Sequence, residues 1–172
     1  MKNKVTLITG GCRSGKSSYA LEITESYDRK VFIATAEAFD DEMADRISRH
    51  QEERGNRFTT IEESIHLADA LANVLPDTQV VIIDCITVWL GNLMHHQGID
   101  EKNCAPVGRF LEVLASPPCD VVIVSNEVGM GLIPADAMSR AYRDLAGSVN
   151  QKIAAVADEA FLVVSGIPLK LK

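Results

Sequence analysis

The sequence of 172 residues predicts an α/β fold in three layers, with a mostly parallel central sheet flanked by helices. Strand and helix patterns alternate along the chain. The apolar runs Val80-Val81-Ile82-Ile83 and Val121-Val122-Ile123-Val124 are continuous rather than alternating. Strands of that kind are buried on both faces, as in a parallel sheet covered by helices. A third observation locates the site. Gly10-Gly11-Cys12-Arg13-Ser14-Gly15-Lys16-Ser17 reads G-x-x-x-x-G-K-S, a phosphate-binding loop pattern, between a strand and a helix.

The elements follow in order. A β-branched apolar run closed by glycine predicts a strand over 5–9. Past the loop, Ser18-Tyr19-Ala20-Leu21-Glu22-Ile23 opens a helical pattern over 16–27. A strand over 31–34 precedes a helix over 41–54 that Asp40 or Asp41 can cap. A strand over 58–61 and a helix over 64–74 come next, then a strand over 80–84. The stretch 87–94 (TVWLGNLM) opens a helix over 87–95 and is apolar almost all round. Such a helix is either fully buried or at a subunit interface, and the reading favours an interface anchored by Trp89 and Leu93. Residues 95–106 are polar and marked by Gly and Pro, hence a surface loop. A helix over 107–115 and a strand over 121–125 follow. In the long helix over 136–158, Met138, Ala141, Leu145, Val149, Ile153 and Val156 keep helical spacing and serve core packing. A strand over 161–164 ends the series. No repeat, low-complexity tract or linker interrupts it, so 1–172 reads as a single nucleotide-binding catalytic domain.

Composition narrows the function. Hydrophobic residues make up 47%, enough for a sizeable core, and the net charge is −7. An acidic chain is a poor general binder of nucleic acid or anionic membranes, because phosphate backbones need a basic surface. A nucleotide site needs only a local positive field. No apolar run approaches the roughly 18 residues of a membrane span. Met1-Lys2-Asn3-Lys4 leads directly into a strand, without the apolar region of a signal peptide. The expected compartment is the cytoplasm. Cys12, Cys85, Cys104 and Cys119 form no C-x-x-C pair and read as free thiols.

In the loop, glycines let backbone N–H groups close around phosphate oxygens, and the helix N-terminus adds partial positive charge. Lys16 would reach the β- and γ-phosphates, and the Ser17 hydroxyl would ligate Mg²⁺. Asp84 ends an apolar strand and resembles the aspartate that helps hold Mg²⁺ at such loops. Its plain alternative is a solvated strand-end carboxylate. His50 shares a helix face with Met43 and Ile47, which lie 4 and 3 residues apart from their successors, and Arg46, Arg49 and Arg54 lie close by. From spacing alone, two readings stay open: a packed histidine, or a nucleophile beside a bound triphosphate. His66, His95 and His96 have no such setting and read as surface or loop residues. Asn126-Glu127-Val128-Gly129-Met130-Gly131, just past a buried strand, reads as a site-forming turn or as a connection shaped only by its glycines.

Together these motifs resemble one family nearly end to end. The match rests on Thr9 to Ser17, Ile33-Ala34-Thr35-Ala36, Asp41-Glu42-Met43 leading into Arg46-Ile47-Ser48-Arg49-His50, Asp84-Cys85-Ile86-Thr87, the Ser125 to Gly131 turn, and Val163-Val164-Ser165-Gly166-Ile167. The chain resembles the bifunctional adenosylcobinamide kinase / adenosylcobinamide-phosphate guanylyltransferase family of cobalamin biosynthesis. That resemblance implies a P-loop NTPase-like fold and two reactions at one site. A γ-phosphoryl group passes from ATP or GTP to the hydroxyl of the aminopropanol arm of adenosylcobinamide. Then GMP passes from GTP to the phosphorylated acceptor, giving adenosylcobinamide-GDP and pyrophosphate. It also implies that a histidine, here His50, carries the GMP, and that Gly10, Gly11, Cys12, Arg13, Ser14, Gly15, Lys16, Ser17, Ala34, Thr35, Ala36, Gln51, Glu52, Glu53, Arg54, Glu62 and Asp84 contact nucleotide. From the residues alone, Glu62 looks like the acidic start of the helix after 58–61. The resemblance further implies a homo-oligomer, with a trimer as the form.

The chain departs from the family in two places. Cys12 stands where a small aliphatic residue is common, and the segment between His95 and Val107 is short. The competing readings are a P-loop kinase of a small metabolite without guanylyl transfer, and a non-catalytic nucleotide-binding switch.

Overall fold

The computed structural model describes residues 2–38, 41–100 and 103–172; within 41–57 the side chains of 42, 43, 46, 49, 50, 53, 54 and 56 lie outside that description. In chain order the elements are β1 (Val5–Thr9), α1 (Lys16–Ile23), β2 (Lys30–Ala34), α2 (Asp41–Arg54), β3 (Thr59–Glu62), α3 (Leu67–Ala72), β4 (Val80–Asp84), α4 (Ile86–Gln97), α5 (Ala105–Ala115), β5 (Asp120–Val124), α6 (Ala137–Val156), β6 (Glu159–Val164) and β7 (Ile167–Lys170), with a 3₁₀ turn at Gly55–Arg57. The strands form one sheet in the order β3-β2-β4-β5-β1-β6-β7. All ladders are parallel except β6–β7, an antiparallel hairpin.

The continuous apolar runs have the predicted cause. Val81 and Ile83 of β4 and Val121 and Ile123 of β5 point into a large core with α3, α4, α5 and α6. Their neighbours Val80, Ile82, Val122 and Val124 point into a second core that includes Ala20 of α1. Each strand therefore buries both faces, which matches its β-branched composition. Helix α4 belongs to the larger core. Trp89 and Leu93 are both 0% exposed, so they are core residues of this chain rather than interface anchors. The Trp89 indole satisfies its one donor on the Ile65 carbonyl at 2.9 Å.

Local chemistry sets most element ends. Thr24 Oγ1 donates to the Ala20 and Leu21 carbonyls and closes α1 four residues earlier than predicted. Gly98 takes the left-handed conformation that ends α4. Asp136 caps α6 by accepting from Ser139 N–H. The loop expected over 95–106 is shorter, because α4 runs to Gln97 and α5 starts at Ala105. Glu62 is corrected too: it is the last residue of β3, not a helix start. Glu63 instead ties the turn before α3, accepting from Ile65 and His66 N–H at 2.8 and 2.7 Å. Strand β7 was not predicted. The four cysteines are free.

Candidate functional site

The register of the sheet assembles the site. Glu62 pairs with Ala34, Ala34 with Asp84, and Asp84 with Val124. These four make one row across the carboxyl ends of β3, β2, β4 and β5. All four border a cleft of about 720 Å³. Ligands of open α/β sheets bind at that edge.

The phosphate loop forms one wall. After Thr9 the chain turns into α1 through positive φ at Gly10 (149°), Arg13 (55°) and Gly15 (99°). A Cβ at Gly10 would stand 2.3 Å from the Val163 carbonyl oxygen, so this position requires glycine. Gly15 is the N-cap of α1 and no side chain caps the helix. Its first-turn N–H groups therefore lack intrahelical acceptors and carry the positive end of the dipole. Two neighbours brace the loop: Gly166 N–H donates to the Ser14 carbonyl at 2.8 Å, and Glu127 N–H donates to the Gly10 carbonyl at 2.9 Å. The Ser14 hydroxyl is buried and finds no partner among the described residues.

Lys16 folds back over the loop, its Nζ donating to the Gly11 carbonyl at 2.6 Å. Burial lowers its pKa, and the nearby acidic groups of Cys85, Asp84 and Cys12 pull the other way. Ser17 Oγ donates to Asp84 Oδ2 at 2.7 Å, placing a hydroxyl and a carboxylate side by side at the head of α1. Cys85 also borders the cleft, but burial pushes its thiol up to about 11, so it stays protonated and poorly nucleophilic.

Of the residues expected to contact nucleotide, 12–17, Ala34, Ala36, Glu62 and Asp84 line the cleft. Gly10 and Gly11 belong to the loop but do not line the cleft. Thr35 is not brought to the wall. Its buried hydroxyl donates to the Cys85 carbonyl and accepts from Cys85 N–H, both at 2.8 Å, tying the end of β2 to that of β4. Gln51 is exposed and donates to Glu62 at 3.3 Å, and Glu52 is exposed on α2. The predicted helix over 41–54 forms, and Ile47 on it lines the cleft. The side chains of His50, Glu53 and Arg54 lie outside the described residues.

Sequence reasoning missed part of the wall. Glu37, Glu63 and Ser64 line the cleft, beside Asn126 from the turn read as site-forming. His96, read as a surface residue, has its Nε2 3.0 Å from Glu37 Oε2 at the cleft rim. Hydrogen bonds from Ser64 and His96 hold the Glu37 carboxyl below its ordinary value. The available signal was position: Glu37, Glu63 and Ser64 follow the carboxyl ends of β2 and β3 within a few residues, at the sheet edge where Asp84 ends β4. Asn126 is further fixed from below, donating to Thr87 Oγ1 at 3.0 Å. Among the described residues, no group of three His, Cys, Asp or Glu side chains could hold a metal by itself.

A helix opened by a bare N-terminus, with a strand-end carboxylate on its serine, defines a protein of the P-loop NTPase class. Solved structures share the fold. The RadB recombinase superposes with a TM-score of 0.53 at 18% identity, over 92% of this chain and 73% of that one. An ATPase of the bacterial type III secretion system does so with a TM-score of 0.55 at 11% identity, over 92% and 50%. Sequence goes further. The profile of the cobinamide kinase / cobinamide phosphate guanyltransferase family matches residues 6–171, and the chain belongs to that family. The bifunctional adenosylcobalamin biosynthesis protein CobU of Escherichia coli K12 is 36% identical over 96% of this chain and 98% of its own length. The corresponding CobU of Salmonella typhimurium is 38% identical over the same shares. The bifunctional protein CobP of Pseudomonas aeruginosa is 38% identical over 96% of both chains. Among the described residues, no helix is long and apolar enough to cross a membrane.

Proposed function

We propose that the chain phosphorylates adenosylcobinamide with ATP or GTP and then transfers GMP from GTP to the phosphorylated product. The observation that carries this reading is the near-full-length match to bifunctional relatives. The site geometry supports it. The triphosphate lies along the loop, its charge met by Lys16, the α1 N-terminus and the Ser14 hydroxyl, which has no partner among the described residues. Ser17 and Asp84 supply two hard oxygens side by side, which suits a Mg²⁺ ion that takes its other ligands from phosphates and water. When bound, that ion neutralises phosphate charge as the transferring phosphorus is attacked. The base and ribose lie toward Ala34, Ala36 and Glu62, with Gln51 and Glu52 from α2.

In the first reaction the acceptor hydroxyl oxygen attacks the γ-phosphorus. The bond to the β,γ-bridging oxygen breaks, the hydroxyl proton is lost, and the nucleoside diphosphate leaves. In the second, a neutral His50 nitrogen attacks the α-phosphorus of GTP and pyrophosphate leaves. A phosphate oxygen of the acceptor then attacks the α-phosphorus, releasing His50 and forming adenosylcobinamide-GDP. His50 stands one helical turn beyond Ile47, which lines the cleft. The same reading makes 1–172 one catalytic domain, working in the cytoplasm where nucleoside triphosphates are abundant. It also makes the chain a homo-oligomer, with a trimer as the form. A candidate contact is β7, a sheet edge with Ile167 and Leu169 exposed and Leu171 exposed just beyond it.

The test is turnover of adenosylcobinamide with GTP and Mg²⁺ by the purified protein. The expected products are the corrinoid phosphate followed by the corrinoid GDP, with one pyrophosphate released per GDP adduct. Accumulation of the corrinoid phosphate without pyrophosphate would reduce the chain to a kinase.

A further inference from the structure

We propose that residues 127–138, between β5 and α6, form the seat of the acceptor's macrocycle, with Met130, Leu132, Ile133 and Met138 as its contact face. This rests on the acceptor assigned above and names where it docks. The four side chains are 78%, 95%, 73% and 74% exposed, so Met138 does not serve the core as its spacing suggested, and apolar surface concentrates in one short stretch that follows cleft-lining Asn126 in the chain. Contiguous apolar patches of that kind mark ligand or partner sites, and methionine adapts readily to irregular shapes.

The stretch is built rather than loose. Glu127 N–H is tied to the Gly10 carbonyl of the phosphate loop, and the Glu127 carboxylate accepts from Gly129 N–H at 2.8 Å. Arg140 donates to the Pro134 and Ala135 carbonyls at 3.0 and 2.6 Å, and Asp136 caps the helix that follows. Polar groups thus fix the backbone while the apolar side chains stand outward.

Its position suits an acceptor. Strand β5 lies between β4, which ends in Asp84, and β1, which ends in the phosphate loop. The segment therefore leaves the sheet between the carboxylate and the loop, starting from cleft-lining Asn126. A cleft of about 720 Å³ is the size of a single small-molecule pocket. Cobinamide carries its reacting hydroxyl on a short arm hung from a wide, partly apolar ring. With nucleotide filling the cleft, only the arm enters, and the ring rests on the rim next to the phosphates.

The experiment compares wild type with the double variant Leu132→Ser, Ile133→Ser and, separately, Met138→Ser. The readouts are KM for adenosylcobinamide in phosphoryl transfer, GTP affinity by equilibrium dialysis, and sedimenting mass. Free 1-amino-2-propanol serves as the acceptor arm without its ring. The expected result is a KM for adenosylcobinamide raised about tenfold or more, the loss of roughly 1.4 kcal/mol of binding. GTP affinity, mass and kcat/KM for 1-amino-2-propanol stay at the wild-type level. An unchanged KM in both variants overturns the seat while leaving the enzyme reading intact. A fall in sedimenting mass alongside the KM change also overturns it, because the face is then a contact between copies of the chain. A wild-type protein that does not turn over adenosylcobinamide defeats the enzyme reading itself, and the seat falls with it.

Discussion

Lys16 shows how much of the site one side chain carries. It is only 6% exposed and is held by the Gly11 carbonyl within the loop it serves. A buried ammonium with one neutral acceptor is under-compensated, and a triphosphate supplies the missing charge. Lys16→Ala should lower kcat/KM for both phosphoryl and guanylyl transfer by about 10²–10³-fold, the usual cost of removing one donor aimed at developing charge. Steady-state kinetics with each half-reaction would check this. Lys16→Arg should not restore the rate, since a planar fork replaces a compact point charge in a tight turn. Lys16, Ser17 and Asp84 were legible in the sequence because their spacing and strand-end placement follow from one local motif. Thr35 was legible only as part of a motif. Its role as a buried clasp on Cys85 depends on two strands 50 residues apart being neighbours, which no local pattern reveals.

At the scale of elements, the phosphate loop depends on the β6–β7 hairpin behind it. Gly10 packs under the Val163 carbonyl, and Gly15 lies where an added Cβ would stand 3.1 Å from Gly166 Cα. Gly11 has open space around its Cβ direction. Gly10→Ala should therefore destabilise the fold by about 1–3 kcal/mol through backbone strain and the clash, and should weaken GTP binding. Gly11→Ala should unfold near the wild-type urea concentration. Matched urea titrations of the two variants separate a strained loop from a merely Gly-rich one; equal midpoints would contradict this account. The hairpin also marks where sequence reading stopped. The strands predicted over 5–9, 31–34, 80–84 and 121–125 were found because β-branched apolar runs persist when both faces are buried. Strand β7, with Pro168 and an exposed apolar edge, carries no such signal. Likewise Trp89 and Leu93 looked like interface anchors because α4 is apolar all round, and only the helices packed on it show that one chain buries it.

Over the whole molecule, the chain's ends are held by carboxylates that need their charge. Asp158 accepts from Lys2 Nζ and Val5 N–H, and these bonds lower its pKa. Glu159 is lowered by Lys170 and Lys4, and Asp136 by Ser139 at the start of α6. A carboxyl whose pKa is lower folded than unfolded adds stability that is fully present above its unfolded value. That stability is lost as pH falls through the folded one. Urea midpoints should therefore hold near neutrality and fall from about pH 5 downward. Asp158→Asn should flatten that fall and lower the midpoint at pH 7; a variant that keeps the full acid slope would contradict the assignment. The central claim concerns chemistry at the nucleotide's α-phosphorus, with the GMP carried on His50. Its most direct test is incubation with Mg²⁺ and GTP labelled with ³²P at the α-position, followed by a denaturing gel, for wild type and His50→Ala. The account predicts acid-labile, alkali-stable label on wild type and none on the variant. Absence of label from wild type that still binds GTP, or label that survives the substitution, would contradict it.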